Sequence, residues 1–460
     1  MMLIAALFTV NAQEPAKPVD SSLPVGVFDS GTGGLTVLEA ILKLDAYNNI
    51  TGKPGADGKP DFENEKFEYL ADQANMPYGN YAAAGKTDLL KEHVLKNLKF
   101  LIGSQYDKPA APTWQIAAKR PVKMVVVACN TATAYALGDM KAYIQTYNPS
   151  IPCIGVIDAG SKAALQYQQT HKGTIGVFAT AGTVASNGYQ RTLKQMAAQY
   201  LGVGDLSIVS QGGVGLAESI DRDNDYFNDT LTKARSNYRG PSLKNTKLAI
   251  DTSLLPIYHF DKSYNKMLCE YDPKTNNCLE MQINDPANYV RYHLVTLLEK
   301  MRKENTALPL NTLILGCTHY PYMKDIIAKV LLELYNFKNG NAYRYRHLMA
   351  AHVQLIDPAV ETAKEAYLAM RSHNLASATT VKAQNQFFIC VPNTDLKEVQ
   401  LENNGWFTYA YKYGRNVGEN KTFVRTEPFS TKNIAPATFQ RFKTALPHVH
   451  TLLTQQIVGL

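Results

Sequence analysis

The sequence predicts an α/β protein built from two doubly wound parallel-sheet domains in a pseudo-two-fold relation, with an active site in the interdomain cleft. Three observations predict it. Short runs continuous in Val, Ile and Leu recur along the chain, as parallel strands buried on both faces require. Most are followed by a Gly-rich or polar turn and then a helical stretch, the order of a doubly wound sheet. The 460 residues also exceed what one compact core normally holds.

Taken in order, "PVGVFDSGTGG" (24–34) reads as a strand and a Gly-rich turn, and "LTVLEAILKL" continues as a helix. "KFEYLADQANMPYG" (66–79) is a second strand and loop, followed by a helix over "KTDLLKEHVLKNLKFLIG". "VKMVVVACNTAT" (122–133) is a third strand and turn. "IPCIGVIDAG", "GTIGVFATAGTV", "DLSIVSQGG" and "TLILGCTHYP" continue the series as strands. Residues 50–66 and 103–120 are rich in Gly, Pro and Lys and read as surface loops. Residues 219–300 are polar and rich in Tyr, Asn and Asp, and read as an insertion that ends in the helical "NYVRYHLVTLLEKMRK". From about 374 the tail holds strand-like "QFFICV" and "WFTYAYKY" and a final helix, "PATFQRFKTALPHVHTLLTQQI". The expected domains are therefore 24–153 plus 355–460, with a C-terminal extension, and 154–354, carrying the insertion 219–300.

The chain is 45% hydrophobic and 19% charged, with a formal charge of +7. Its Lys and Arg are scattered, without a basic block or interleaved aromatics, which argues against a nucleic-acid partner. No apolar run reaches the ~18 residues of a membrane span. "MMLIAALFTVNAQEPAKP" resembles a secretory apolar segment with cleavage near Ala12–Gln13, so residues 1–13 read as a signal peptide. It lacks a basic start, and the cytoplasm is the alternative if the segment is not a working signal. The expected location is periplasmic or secreted. Cys269 and Cys278 flank a turn-rich stretch and could close a hairpin disulfide in an oxidising compartment.

Two further cysteines, Cys129 and Cys317, each stand at the end of an apolar strand and before polar residues. Four readings compete. Buried structural thiols would explain the strands but not the polar residues after them. A disulfide between the two has nothing in the sequence to bring them together. A metal site lacks the usual ligand spacing, since only His319 stands near Cys317. The fourth reading is catalytic. Inverting a carbon centre without a cofactor needs a base on one face and an acid on the other, with similar proton affinities. Two thiols, one of them ionised, meet that need if nearby donors stabilise the thiolate.

"GVFDSGTGGLTVL" (26–38), "YLADQANMPYGNY" (69–81), "ACNTAT" (128–133), "GTVASNGY" (182–189) and "LGCTHYP" (315–321) occur in this order. Together they closely resemble the cofactor-independent glutamate racemases of the aspartate/glutamate racemase superfamily. The resemblance covers about 25–220 and 310–370 and leaves the long insertion and the tail outside. It implies conversion of L-glutamate to D-glutamate, a peptidoglycan precursor, with no cofactor and no metal. It implies that Cys129 and Cys317 are the two acid/base thiols, with Cys317 taking the proton from L-glutamate and Cys129 from D-glutamate. Asp29 and Ser30 match substrate-contacting positions, and Asp29 also lies near the first thiol. Tyr78, Gly79, Asn130, Thr131, Thr318 and His319 match further contacts to the amino acid, with Thr183 beside them. His319 is placed to assist proton transfer, and Asp72 and Glu218 match carboxylates that do the same.

The family usually carries Cys-Pro ahead of the stretch leading to Glu218, where this chain has Ser210-Gln211. The alternatives are a racemase of aspartate or another amino acid on the same scaffold, or a non-catalytic amino-acid-binding relic. "CNTAT" with "CTHYP" resembles the glutamate type, and the survival of both thiols argues against the relic. A homodimer is the oligomeric expectation.

Overall fold

The computed structural model describes residues 17–110, 113–200, 206–380, 384–419 and 422–457. The segment 1–13, expected to be a signal peptide, lies outside them. The first sheet has six strands in the order Val424–Pro428, Gln386–Pro392, Phe67–Ala71, Val25–Asp29, Met124–Val127 and Cys153–Gly155. All neighbours are parallel except the edge pair of Gln386–Pro392 with Val424–Pro428. The second sheet runs Met349–Ile356, Leu310–Gly316, Thr174–Ala179, Ile208–Gly212, all parallel.

Both faces of each sheet are covered, which is why its strands are continuously apolar. In the first sheet Val25, Val27, Tyr69 and Val126 pack with Leu38, Ile41, Met370 and Phe442. On the opposite face Phe28, Leu70, Val125 and Val127 meet Leu90, Val94, Leu98 and Met140. The second sheet divides likewise. Ile175, Val177 and Ile314 pack with Leu165 and Leu193, while Phe178, Val209, Leu313 and Leu315 pack with Leu294, Leu298, Ile327 and Leu331.

The strand order positions the site. Without its C-terminal strands, the first sheet places its first strand in chain order between its second and third, with its fourth beyond the third. The second sheet, numbered from Thr174–Ala179, has the same order. In such sheets the chain reverses its winding between the first and third strands. The crevice at their carboxyl ends is where ligands bind. Cys129 follows the third strand of one sheet, and Cys317 follows the third strand of the other.

Several expectations change. In "IPCIGVIDAG" only Cys153–Gly155 is strand, and helix Val156–Gln168 begins at once. Residues 103–120, read as a loop, contain an antiparallel hairpin of Gln105–Ala110 with Thr113–Ala118, whose backbone groups pair with each other. "WFTYAYKY", read as a strand, contributes helix Tyr409–Gly414, capped where the Thr408 hydroxyl accepts from the Tyr411 N–H. The final helix is two, Pro436–Ala445 and Pro447–Gln456. Pro447 disfavours helical backbone at Leu446 and separates them. Helix Pro286–Lys303, read as part of the insertion, packs against strand Ile208–Gly212 and connects it to the next strand, so the irregular stretch ends before it. Within that stretch, hairpin Met267–Tyr271 with Cys278–Ile283 carries a disulfide between Cys269 and Cys278, with Cα atoms 5.7 Å apart. No described helix is long and apolar enough to cross a membrane.

Candidate active site

Cys129 leaves the Met124–Val127 strand and caps helix Asn130–Tyr147, its sulfur accepting from the Ala132 N–H at 3.4 Å. An 18-residue helix directs its positive end at that sulfur. The Cys129 thiol donates to the Ser30 hydroxyl at 3.5 Å. Asp29 ends the neighbouring strand and accepts from the Gly34 N–H at 2.7 Å. Glycine is required at 34, because a Cβ there would lie 2.5 Å from the Asp29 Cβ. Burial raises the Asp29 carboxyl above its ordinary value, against the pull of the Gly34, Ser30 and Gly31 N–H groups and of Cys129. Burial, with Asp29 beside it, pushes the Cys129 thiol up to about 12, although Ser30 and the Ala132 N–H pull the other way. At neutral pH this sulfur carries its proton.

Cys317 stands at the opposite corner, after strand Leu310–Gly316. Its sulfur is 3.7 Å from His319 Nδ1, and His319 Nε2 is 3.0 Å from Asp221 Oδ2. Burial alone would lower the imidazole. The hydrogen bonds to Asp221 and Cys317 outweigh it and raise His319 to about 10. The second thiol therefore faces an imidazolium, whereas the first faces a carboxyl. Cys129 and Cys317 are both buried and unbridged.

Three contacts close one corner on the other. A Cβ on Gly33, in the turn after Asp29, would come within 3.0 Å of Thr318 Oγ1 and 3.9 Å of His319 Cε1. A Cβ on Gly79 would lie 3.6 Å from the Gly182 Cα. The Tyr189 hydroxyl donates to Asn130 Oδ1 at 3.0 Å, while the Tyr189 ring would lie 2.9 Å from a Cβ on Gly316, beside Cys317. Cys129, Ser30, Asp29, Gly79, Asn130, Thr318, His319 and Cys317 are thus gathered around one junction. Thr183 adjoins Gly182, its N–H held by the Thr180 hydroxyl at 3.3 Å. Thr131 is half-buried in the first turn of the helix that Cys129 caps.

Asp72 sits behind this junction. Its carboxylate accepts from the Tyr78 hydroxyl at 2.5 Å, Asn97 at 2.9 Å and Asn75 at 3.0 Å. Its partners are the buried Tyr78, which it holds by the hydroxyl, Asn75 in the turn Gln73–Asn75 and Asn97 in helix Thr87–Ile102. Glu218, in helix Leu216–Ile220, is raised by burial, with His319 opposing the shift. The carboxylate in contact with the imidazole is Asp221, which sequence reasoning passed over. So were Tyr189, although it closes the quoted "GTVASNGY", and Arg441 of the C-terminal extension, which pairs with Asp221. Where Cys-Pro was expected, Gln211 Nε2 donates to His293 Nδ1 at 3.4 Å, and His293 Nε2 donates to the Val214 carbonyl at 3.0 Å. That wall is tied to helix Pro286–Lys303. Among the described residues no group of three or more His, Cys, Asp or Glu could hold a metal ion.

No protein-family model matches the chain. A glutamate racemase of Levilactobacillus brevis is 27% identical over 365 residues, covering 79% of this chain and 85% of that protein. The glutamate racemase of Enterococcus faecalis is 25% identical over 367 residues, with shares of 79% and 85%. Among solved structures, glutamate racemase isoform RacE1 of Bacillus anthracis matches with a TM-score of 0.44 at 23% identity, covering 80% of this chain and 88% of that one. By sequence the chain is a relative of amino-acid racemases, which are isomerases.

Proposed function

We propose that this chain interconverts L- and D-glutamate without a cofactor, through acid/base catalysis by Cys129 and Cys317. The observation that carries the reading is the matched placement of the two thiols. Each is buried, unbridged and set after the third strand of its own sheet, with its own polar partners. A pseudo-two-fold relation between the sheets, which their equal strand order supports, would bring the thiols to opposite faces of one Cα. The differing surroundings of the two thiols suit removal of the proton from the L enantiomer. Cys317, 3.7 Å from His319 Nδ1, takes the α-proton, and Cys129 delivers its own proton from the other side. Electron density left on Cα is delocalised into the substrate carboxylate. Ser30, Asn130, Thr131, Thr183 and Thr318 supply polar groups around it. Asp29, near Cys129, is a further substrate-contacting position in this reading.

The product would serve as a peptidoglycan precursor. A periplasmic or secreted location is supported by the Cys269–Cys278 bridge, since such bonds persist in oxidising compartments. A homodimer completes the proposal.

One experiment tests the chemistry. L-glutamate, D-glutamate and a panel of other single enantiomers are incubated in deuterated water, followed by chiral separation and mass spectrometry. Glutamate should racemise, each product enantiomer carrying deuterium at Cα because the opposite, solvent-exchanged thiol delivered it. Cys129→Ser and Cys317→Ser should each lower turnover by at least about a thousandfold with the fold kept, since a serine hydroxyl cannot ionise at neutral pH. Faster turnover of aspartate would reassign the substrate. An enzyme inert on the whole panel would leave the binding-relic reading, and original hydrogen retained in the product would mean one base instead of two.

A further inference from the structure

We infer that Arg441, from the C-terminal extension that lies outside the racemase resemblance, is a positioning residue for Cys317. This rests on the reading of Cys317 and His319 given above. The chain of contacts is continuous. Arg441 Nη1 pairs with Asp221 Oδ1, and Asp221 Oδ2 lies 3.0 Å from His319 Nε2. His319 Nδ1 in turn lies 3.7 Å from Cys317 Sγ. Each carboxylate oxygen of Asp221 thus has one cationic partner, and its plane is fixed from both sides. A carboxylate held in this way fixes the ring orientation of the imidazole it contacts, and with it the direction of the other ring nitrogen.

The arrangement is asymmetric. Asp221 follows helix Leu216–Ile220, which comes directly after strand Ile208–Gly212 of the second sheet, whereas Arg441 sits in helix Pro436–Ala445, which packs on the first sheet. The contact therefore ties the thiol corner of one sheet to the core of the other. The two side chains are about one-third exposed, at 38% for Arg441 and 35% for Asp221. Screening therefore limits the effect, and its worth lies in geometry more than in attraction. Among the described residues the Cys129 sulfur bonds to the Ser30 hydroxyl and the Ala132 N–H, both on its own side of the junction.

The test is a double-mutant cycle between Arg441→Ala and Asp221→Asn, with Arg441→Lys as the conservative variant. It is read both as kcat from L-glutamate and as the rate of Cys317 alkylation by iodoacetamide, followed by peptide mass spectrometry. Arg441→Ala should lower each rate about two- to fivefold while the melting temperature stays within a few degrees, as expected for one partly exposed charge contact. Arg441→Lys should recover most of the loss. In the Asp221→Asn background, Arg441→Ala should change neither rate further. Equal factors in both backgrounds, or no effect of Arg441→Ala at all, would overturn the inference. A wild-type chain inert on glutamate would sink the racemase reading by itself, and the alkylation cycle would still decide for or against the coupling of Arg441 to Cys317.

Discussion

At the scale of single residues, the two thiols resemble each other in sequence and differ in surroundings. Burial and Asp29 hold the proton on Cys129, pushed up to about 12. Cys317 has His319, raised to about 10 by Asp221 and by the sulfur itself in spite of burial. The sign of the pH dependence follows. The imidazolium is present at neutral pH and is lost as pH rises through about 10, so activity that uses it falls on the alkaline side. Glutamate's own ammonium titrates nearby, so the informative measurement is a displacement. Asp221→Asn removes the raising partner, and the alkaline limb of kcat/KM for L-glutamate should move to lower pH by at least about one unit. The substrate's titration would be unchanged. A limb that stays in place would mean that His319 does not take part as a cation.

At the scale of elements, the site is a meeting of turns with little room between them. Gly33, after the first strand, approaches Thr318 across the junction, and Gly79 approaches Gly182. Gly33→Ala puts a Cβ 3.0 Å from Thr318 Oγ1. Thr318 must give by a few tenths of an ångström to admit it, while each sheet stays intact. That is well short of the displacement of about 1 Å that costs about a hundredfold, so the expected outcome is a fall in kcat/KM of about tenfold, with the melting temperature within a few degrees. Steady-state kinetics beside a thermal melt decides it, and wild-type kinetics would mean that the junction is wider than these contacts imply. The strands and turns that build this junction were legible in the sequence. Buried parallel strands leave unbroken Val and Ile runs, and the turns after them keep small and polar residues. What was not legible depends on distant contacts. "WFTYAYKY" has the β-prone aromatics of a strand, yet Lys412 and Tyr413 lie in a helix and reach the carbonyls of Met76 and Pro77 at 2.6 and 3.3 Å. Asp221 and Arg441 stand 220 positions apart, and no local pattern marks either as the other's partner.

At the scale of the whole molecule, the C-terminal extension is part of the fold that carries the site. Strand Gln386–Pro392 adds to the first sheet beside Phe67–Ala71, and the last two helices cover one face of that sheet. Phe439, Phe442, Leu446, Val449, Leu453 and Ile457 are all buried there. Fully burying one such side chain contributes about 1.5–3 kcal/mol, so six amount to about 10 kcal/mol even after allowance for a compact unfolded chain. The net stability of a typical domain is about 5–15 kcal/mol. Polar losses add to this. The buried Glu39 carboxylate accepts from His448 Nδ1 at 2.6 Å and from the Val449 N–H at 2.9 Å, and it would lose both. Gln456 holds both backbone groups of Phe387, at 2.8 and 3.1 Å. A chain ended after Ile434 would leave these groups bare along with the apolar face. It should fail to give a soluble monomer with a cooperative melt, as judged by size-exclusion chromatography and circular dichroism. The extension would be a mere attachment if the shortened chain instead melted within a few degrees of the full one. That result would also remove the ground on which Arg441 braces the second thiol, because the helix that carries it would then owe its place to nothing in the core.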